Sequence, residues 1–393
     1  MSISCLSGLG IVLGTRPCEA ALNAVLEIHR RMQSTARQAH RKTLLVFNCH
    51  EAWVYQLGTL GYNLDIIGGL DGRPKKSWDT QMRPLPANSR LITLSEAVRS
   101  HTCYYCIITH NITDLLDVKS RPEPRIMVLH CALESRLEEE KSGISPEELK
   151  KMLREYLASV GGHAVATSMF KGESWGLTED VVPCGVDPDE YLPYSGNTAC
   201  GLRVCNFIEH RRKILLWDFH KKAFAGIPVR LVGHNPGMSG VAAADNWQHL
   251  KILLQSHRFY IHTADPRFEA GYNMACLEAM AAGLPVLGNQ HPTSPVKHGV
   301  SGFLSDDPAE LRECATMLLQ NRNLAVRMGQ QARKVVIENF SMDRFGTAFL
   351  QSIETARRKR KSMKSSWQDA CGGSGADNPL HYRTCTDVMQ ANR

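Results

Sequence analysis

The stretch Arg267–Gly288, RFEAGYNMACLEAMAAGLPVLG, decides how this chain is read. From Asn273 to Gly288 it carries one charge, Glu278, in an otherwise small and apolar run. A buried carboxylate without partners is heavily penalised, so Glu278 is expected to have definite ones. Upstream, Asp265–Pro266 and Glu269-Ala270-Gly271 read as a loop. Downstream, Gly283 stops a helix and Pro285–Leu287 starts a buried strand. A loop that feeds a helix N-terminus presents free N–H groups and a dipole suited to phosphate. A carboxylate about one turn further along lies where ribose hydroxyls would be held.

The segment resembles the donor-site signature of family 4 retaining glycosyltransferases with the GT-B fold, E-G-F-G-x-x-x-x-E-A-M-A-x-G-x-P-V. Glu278-Ala279-Met280-Ala281-Ala282-Gly283-Leu284-Pro285-Val286 matches closely. The first acid is out of register: Ala270 stands eight residues before Glu278, and Glu269 is one residue early. The resemblance implies two Rossmann-like, doubly wound α/β domains facing each other across a cleft that holds a nucleotide sugar. It divides the chain into an N-terminal extension (1–40), an acceptor-side domain (41–188), a nucleotide-sugar domain (189–340), a helix crossing back to the first domain (341–356) and a basic, disordered tail (357–393).

Composition sets the outer bounds. The 393 residues suffice for two α/β domains. The net charge of +7 resides in the ends: 1–40 carry +2, 357–393 carry +5, and 41–356 are neutral. A basic core for nucleic acid is therefore not indicated. Thirteen scattered cysteines suit reduced, buried thiols in a cytoplasmic protein. Cys103-Tyr-Tyr-Cys106 has redox or zinc spacing but no second pair, and reads as core. No 18-residue apolar run marks a membrane span.

Within the first half, Thr43–Asn48 and Leu64–Ile67 read as strands of a β-loop-α-β opening. The loop between them makes His50 and Glu51 candidate cleft residues. An irregular excursion, Asp71–Asn88, offers Trp78 and Arg83 to an acceptor. Two further strands, Tyr104–Thr109 and Arg125–Leu129, each end in a histidine. By resemblance His130 faces the donor sugar near the reacting carbon, with His110 second. Ser145-Pro146-Glu147-Glu148 opens a helix to Val160. Its charges and those of Glu138–Lys141 read as a solvated face. Strands at His163–Ser168 and Asp180–Val186 close the half. Asp187-Pro188-Asp189 imitates a metal-binding D-x-D but falls in the linker, so it is rejected.

Within the second half, Leu202–Ile208 reads as a strand followed by a helix through Phe224. Family members carry an arginine and a lysine five apart here. This chain has adjacent Arg211, Arg212 and Lys213, candidates for the charge of a departing diphosphate. Gly233 and His234 resemble the loop near the base. Gly271, Tyr272, Asn273 and Met274 would hold diphosphate or sugar through their amides, Glu278 would bind ribose, and Glu269 stands in for the displaced first acid. The resemblance implies metal-independent transfer to an acceptor hydroxyl with retained anomeric configuration and no cofactor beyond the nucleotide-sugar donor. The acceptor would be a carbohydrate, a lipid-linked molecule or a small molecule. The basic tail suggests weak peripheral contact with an anionic membrane at its inner face. Two alternatives stay open: a nucleotide-sugar hydrolase or epimerase of the same fold, and a non-catalytic nucleotide-sugar-binding scaffold.

Overall fold

The computed structural model describes residues 42–70, 77–140 and 143–371, with no side-chain description for 364–371. The expectation for 1–40 and part of those for 71–88 and 357–393 lie outside these residues.

The first sheet is wholly parallel. It contains β1 (Thr43–Phe47), β2 (Asn63–Ile67), β3 (Ser89–Ile92), β4 (Cys106–Thr109), β5 (Arg125–Leu129) and β6 (His163–Ala166). Their spatial order is β3-β2-β1-β4-β5-β6. Strands covered on both faces by helices read as continuous apolar runs, and β1, β4 and β5 do. In this order the direction of winding reverses between β1 and β4. The crevice beyond their carboxyl ends is the expected ligand position.

The second sheet is also parallel, with β7 (Thr198–Val204), β8 (Val229–Val232), β9 (His257–Ile261), β10 (Val286–Gly288) and β11 (Gly302–Leu304) in the order β11-β10-β9-β7-β8. Its reversal lies between β7 and β9. The loops after those strands carry Arg211 and Glu269.

Helices join the strands. In the first half they are α1 (Glu51–Gln56), α2 (Leu94–Arg99), α3 (Ile112–Asp117), α4 (Leu133–Glu140), α5 (Pro146–Val160) and α6 (Met169–Trp175). The second half adds α7 (Trp217–Ala223), α8 (Trp247–Ser256), α9 (Met274–Ala281), α10 (Pro308–Gln320), α11 (Arg322–Asn339) and α12 (Met342–Cys371). The α5 start is built as its sequence indicates: the Ser145 side chain accepts from Glu148 N, and Pro146 follows. Helix α9 ends at Gly283, whose φ of 90° suits a residue without Cβ.

Phe345, Phe349, Ile353 and Ala356 recur at helical spacing along α12 and are buried in the core of the first sheet with Trp53, Val54 and Leu57. The chain thus returns to its first half. Beyond Thr355 the expectation of a disordered tail is corrected, because α12 runs on to Cys371. The basic run is held by protein: the Arg357 guanidinium lies 3.7 Å from the centre of the Tyr105 ring. Arg360 donates to the carbonyls of Pro122 (2.9 Å) and Val160 (3.1 Å).

Three further expectations change. Residues 180–186 make one isolated bridge, Ala166 to Val181, instead of a strand. The segment after β7 is a series of turns, so α7 begins at Trp217 and the basic cluster lies in a loop, not on a helix. Short elements β3, α2 and α8 occur where no pattern was read.

Candidate functional site

Charged and polar groups gather at the interdomain cleft in three neighbouring clusters, two of which pair residues of the two halves. The first surrounds Glu278. Asn273 caps α9, its side chain accepting from Cys276 N at 2.9 Å, and Glu278 follows just over a turn into the helix, buried. Its carboxylate takes the Arg83 guanidinium as partner, and Tyr191 lines the same cavity. Burial raises the pKa of Glu278, and the charge of Arg83 works against that rise.

Arg83 is therefore not the acceptor contact expected of it. Its guanidinium also stacks 3.2 Å from the centre of the Trp247 ring, on α8 of the opposite domain. Trp247 N donates to the Gln81 carbonyl at 2.8 Å, so the 77–88 segment is docked onto the second domain. Trp78 is buried and donates from Nε1 to the Arg83 carbonyl at 2.7 Å, which removes it from any acceptor surface. Glu51, offered as a cleft residue, is buried and accepts from Asp79 N at 2.9 Å, so it anchors the same segment. A cavity of about 500 Å³ opens here, lined by Tyr55, Gln56, Arg83, Asn88, Tyr191 and Glu278 among others.

The second cluster centres on Glu269. It is buried and receives Lys171 of α6 and Arg211 of the β7 loop, each at 3.5 Å. Arg211 also binds Glu139 at 2.7 Å, and Lys213 binds Glu138 at 2.9 Å. Glu138 is on an exposed face as expected, yet it and the half-buried Glu139 on α4 both pair with the basic loop across the cleft. Burial alone would lower the Lys171 pKa, but the Glu269 carboxylate and nearby thiols reverse it to a net rise. Arg211 behaves alike, with Glu139 and Glu269 outweighing burial. Arg212 turns outward onto Asp218, an exposed pair at 2.5 Å. Of the three basic candidates, Arg211 points into the cleft cluster, Arg212 does not, and Lys213 sits at the rim.

The loop between these clusters is tightly constrained. Gly271 N donates to Thr293 Oγ1 at 2.9 Å, so that amide is already engaged. A Cβ on Gly271 would lie 2.7 Å from both His291 Nδ1 and Ser294 N. Tyr272 packs edge-on against Phe340, and Met274 receives Gln56 Nε2 at 3.7 Å from the opposite domain. Gly233 and His234 lie further along the same sheet end. His234 N donates to Asn206 Oδ1 at 2.8 Å.

The third cluster stands at the reversal point of the first sheet. His110 Nδ1 and His130 Nε2 are 2.8 Å apart. Trp53 packs edge-on against both rings, and His50 stacks over His130 with ring centres 6.2 Å apart. His50 also caps α1, its Nδ1 accepting from Trp53 N at 3.3 Å. Burial, then His110, His50 and Lys171, push the His130 pKa well below the ordinary range, which keeps its imidazole neutral. The field of Lys171 links this cluster to the Glu269 cluster.

Lys171 escaped the sequence reading. It sits in an ordinary short helix, and only the folded arrangement brings it to Glu269. Tyr191 and Trp247 were missed for the same reason.

The comparisons with known proteins agree with this architecture. The family model "Glycosyl transferases group 1" matches residues 240–335, the segment that contains Glu269 and Glu278. The Anabaena Alr3699/HepE structure in complex with UDP and glucose superposes with a TM-score of 0.59 at 14% identity, covering 80% of this chain and all of that one. Sucrose-phosphate synthase from Thermosynechococcus elongatus gives 0.55 at 12% identity, covering 85% and 100%. Against S. aureus TarM the chain spans about half of that protein's length, 55%, at a TM-score of 0.49. No curated protein matches the chain. The fold is GT-B, with two Rossmann-like domains. Among the described residues, no helix is long and apolar enough to cross a membrane.

Proposed function

We propose that this GT-B chain, whose residues 240–335 match the group 1 glycosyl transferases, moves a glycosyl unit from a nucleotide sugar to an acceptor hydroxyl. The observation that carries the reading is the convergence of Arg211 and Lys171, one from each domain, on Glu269 at the entry to α9. Two half-buried cations at one point are what a departing nucleoside diphosphate requires, since negative charge develops on it as the glycosidic bond breaks. In this reading the diphosphate takes over the cations now held by Glu269 and Glu139. Glu278 exchanges Arg83 for the ribose hydroxyls. The neutral His130 faces the sugar and accepts or donates a hydrogen bond without adding charge.

Transfer with retention, by attack from the face the leaving group departs, needs no protein nucleophile. The acids near the reacting centre are then free to act as partners of cations. We write the transfer step without a metal. The acceptor is a carbohydrate or another hydroxyl compound reaching the cleft from the first domain, and a uridine diphosphate sugar is the first donor to test because HepE was crystallised with UDP-glucose.

The test couples binding to turnover. Purified full-length protein is melted with UDP-, GDP-, ADP- and dTDP-sugars, because a ligand that binds only the native state raises its stability by mass action. The donor that shifts the melt is then incubated with acceptor mixtures, and the product anomer is read by NMR. Binding without transfer across the acceptors would favour the scaffold reading. Free sugar or an epimer in the absence of acceptor would favour the hydrolase or epimerase.

A further inference from the structure

We propose that Cys49, His110 and His130 form a zinc-binding site at the reversal point of the first sheet. The three residues lie one or two positions beyond three different strands, β1, β4 and β5, which the order β2-β1-β4-β5 sets side by side. One thiol sulfur and two imidazole nitrogens lie within 4.8 Å of one another. A thiolate with imidazoles is a donor set that zinc takes in preference to harder cations. Zinc bonds of about 2.0–2.1 Å to nitrogen and about 2.3 Å to sulfur place tetrahedral ligands roughly 3.3–3.7 Å apart. The two histidine nitrogens, at 2.8 Å, need to separate by about half an ångström, and the sulfur, already within 4.8 Å of both, needs to approach by no more than about 1.5 Å.

The surroundings suit an ion. The two imidazole nitrogens face each other at 2.8 Å, so their lone-pair directions converge on one point. Trp53 packs edge-on against both imidazoles and holds their planes, the service that neighbours of a metal ligand commonly provide. Cys49 is exposed, so an ion has an entry path from solvent. Zinc binding itself does not depend on the transferase reading. Only its consequence does: an ion on His130 competes with the donor sugar for the same nitrogen.

The test uses the full-length protein stripped with a chelator and titrated with Co2+, then with Zn2+. One Co2+ per chain is expected, with thiolate-to-cobalt charge-transfer absorption and the intense d–d bands of tetrahedral coordination, displaced by Zn2+. Cys49→Ser changes an exposed side chain and should fold. It should lose the charge-transfer band and bind zinc at least tenfold more weakly, while Cys131→Ser, at a neighbouring exposed thiol, keeps both. Zinc should also protect Cys49 from alkylation, read by mass spectrometry. A band that survives Cys49→Ser marks an adventitious site on another thiol and overturns the proposal, as does folded wild-type protein with no saturable band.

Discussion

Arg83 and Glu278 form a buried ion pair that joins the first domain to the helix at the centre of the second. Glu278 is the carboxylate proposed for the ribose, so in that reading donor binding displaces Arg83 from it. Breaking a buried pair from one side leaves an uncompensated charge, at a cost of about 3–5 kcal/mol. Arg83→Met and Glu278→Gln should each lower the unfolding free energy by an amount in that range. The double variant should lose less than the sum, with a coupling of about 1–3 kcal/mol. Denaturant melts of the four proteins measure this. Additive losses would mean that the two side chains do not interact in solution.

The adjacent arginines separate in role. Arg211 reaches the buried Glu269, whereas Arg212 makes an exposed pair with Asp218. Exposed pairs contribute little, on the order of 0–1 kcal/mol. Arg211→Ala should therefore weaken nucleoside-diphosphate binding roughly tenfold or more, the worth of a charge-assisted hydrogen bond of about 1.5–3 kcal/mol. Arg212→Ala should leave it within about twofold. Calorimetric titration with UDP and the other nucleoside diphosphates decides the point, and equal effects would remove Arg211 from the site.

Legibility from sequence followed the length scale of each signal. Strands such as Arg125–Leu129 and the capped helix after Ser145 were readable, because a buried parallel strand and an N-cap with proline are local patterns. The α9 stretch carried the fold through a run of specific residues. What stayed hidden was pairing across the cleft. Nothing near Arg83 in the chain indicates Glu278, which is 195 residues away. Glu139 looks like part of a solvated helix face until Arg211 is placed opposite it. The basic run after Thr355 has a disordered composition, yet α12 is already fixed to the first domain by Phe345, Phe349 and Ile353, and elongating a formed helix costs far less than starting one.

Two buried histidines give the protein a defined acid sensitivity. Burial and the charge of Arg203 drop His220 to about 2, and burial with Arg203 drops His262 to about 4. The unfolded chain binds protons at these sites once pH falls below about 6.5, while the native state does not. Stability is thus unaffected above that pH and falls as pH drops below it. Between pH 7 and pH 5 each histidine costs about 2 kcal/mol. His220→Gln should reduce the loss over that interval by about 2 kcal/mol, read from urea melts at both pH values. An unchanged pH dependence would mean that His220 is protonated in the native state.

The α9 loop provides the last test. Gly271 lies where any Cβ would come 2.7 Å from His291 Nδ1 and Ser294 N, the second of which is backbone. Its own amide is tied to Thr293, so the loop cannot retreat without breaking that bond. His291 is fixed in turn, Nε2 lying 2.9 Å from the Glu269 carbonyl. A methyl group at position 271 must therefore displace the segment that carries Glu269, even though α9 and its buried face need not move. Gly271→Ala should cost about 1–3 kcal/mol of stability, as overpacking does, and should weaken nucleotide-sugar binding by more than tenfold. Thr293→Val removes the hydroxyl acceptor without adding bulk beside His291, and should weaken binding less. Thermal melts with and without donor distinguish the two effects. Gly271→Ala protein that is destabilised but binds donor normally would show that the loop can shift without disturbing the site, and the assignment of Glu269 and its cations to the diphosphate would fail with it.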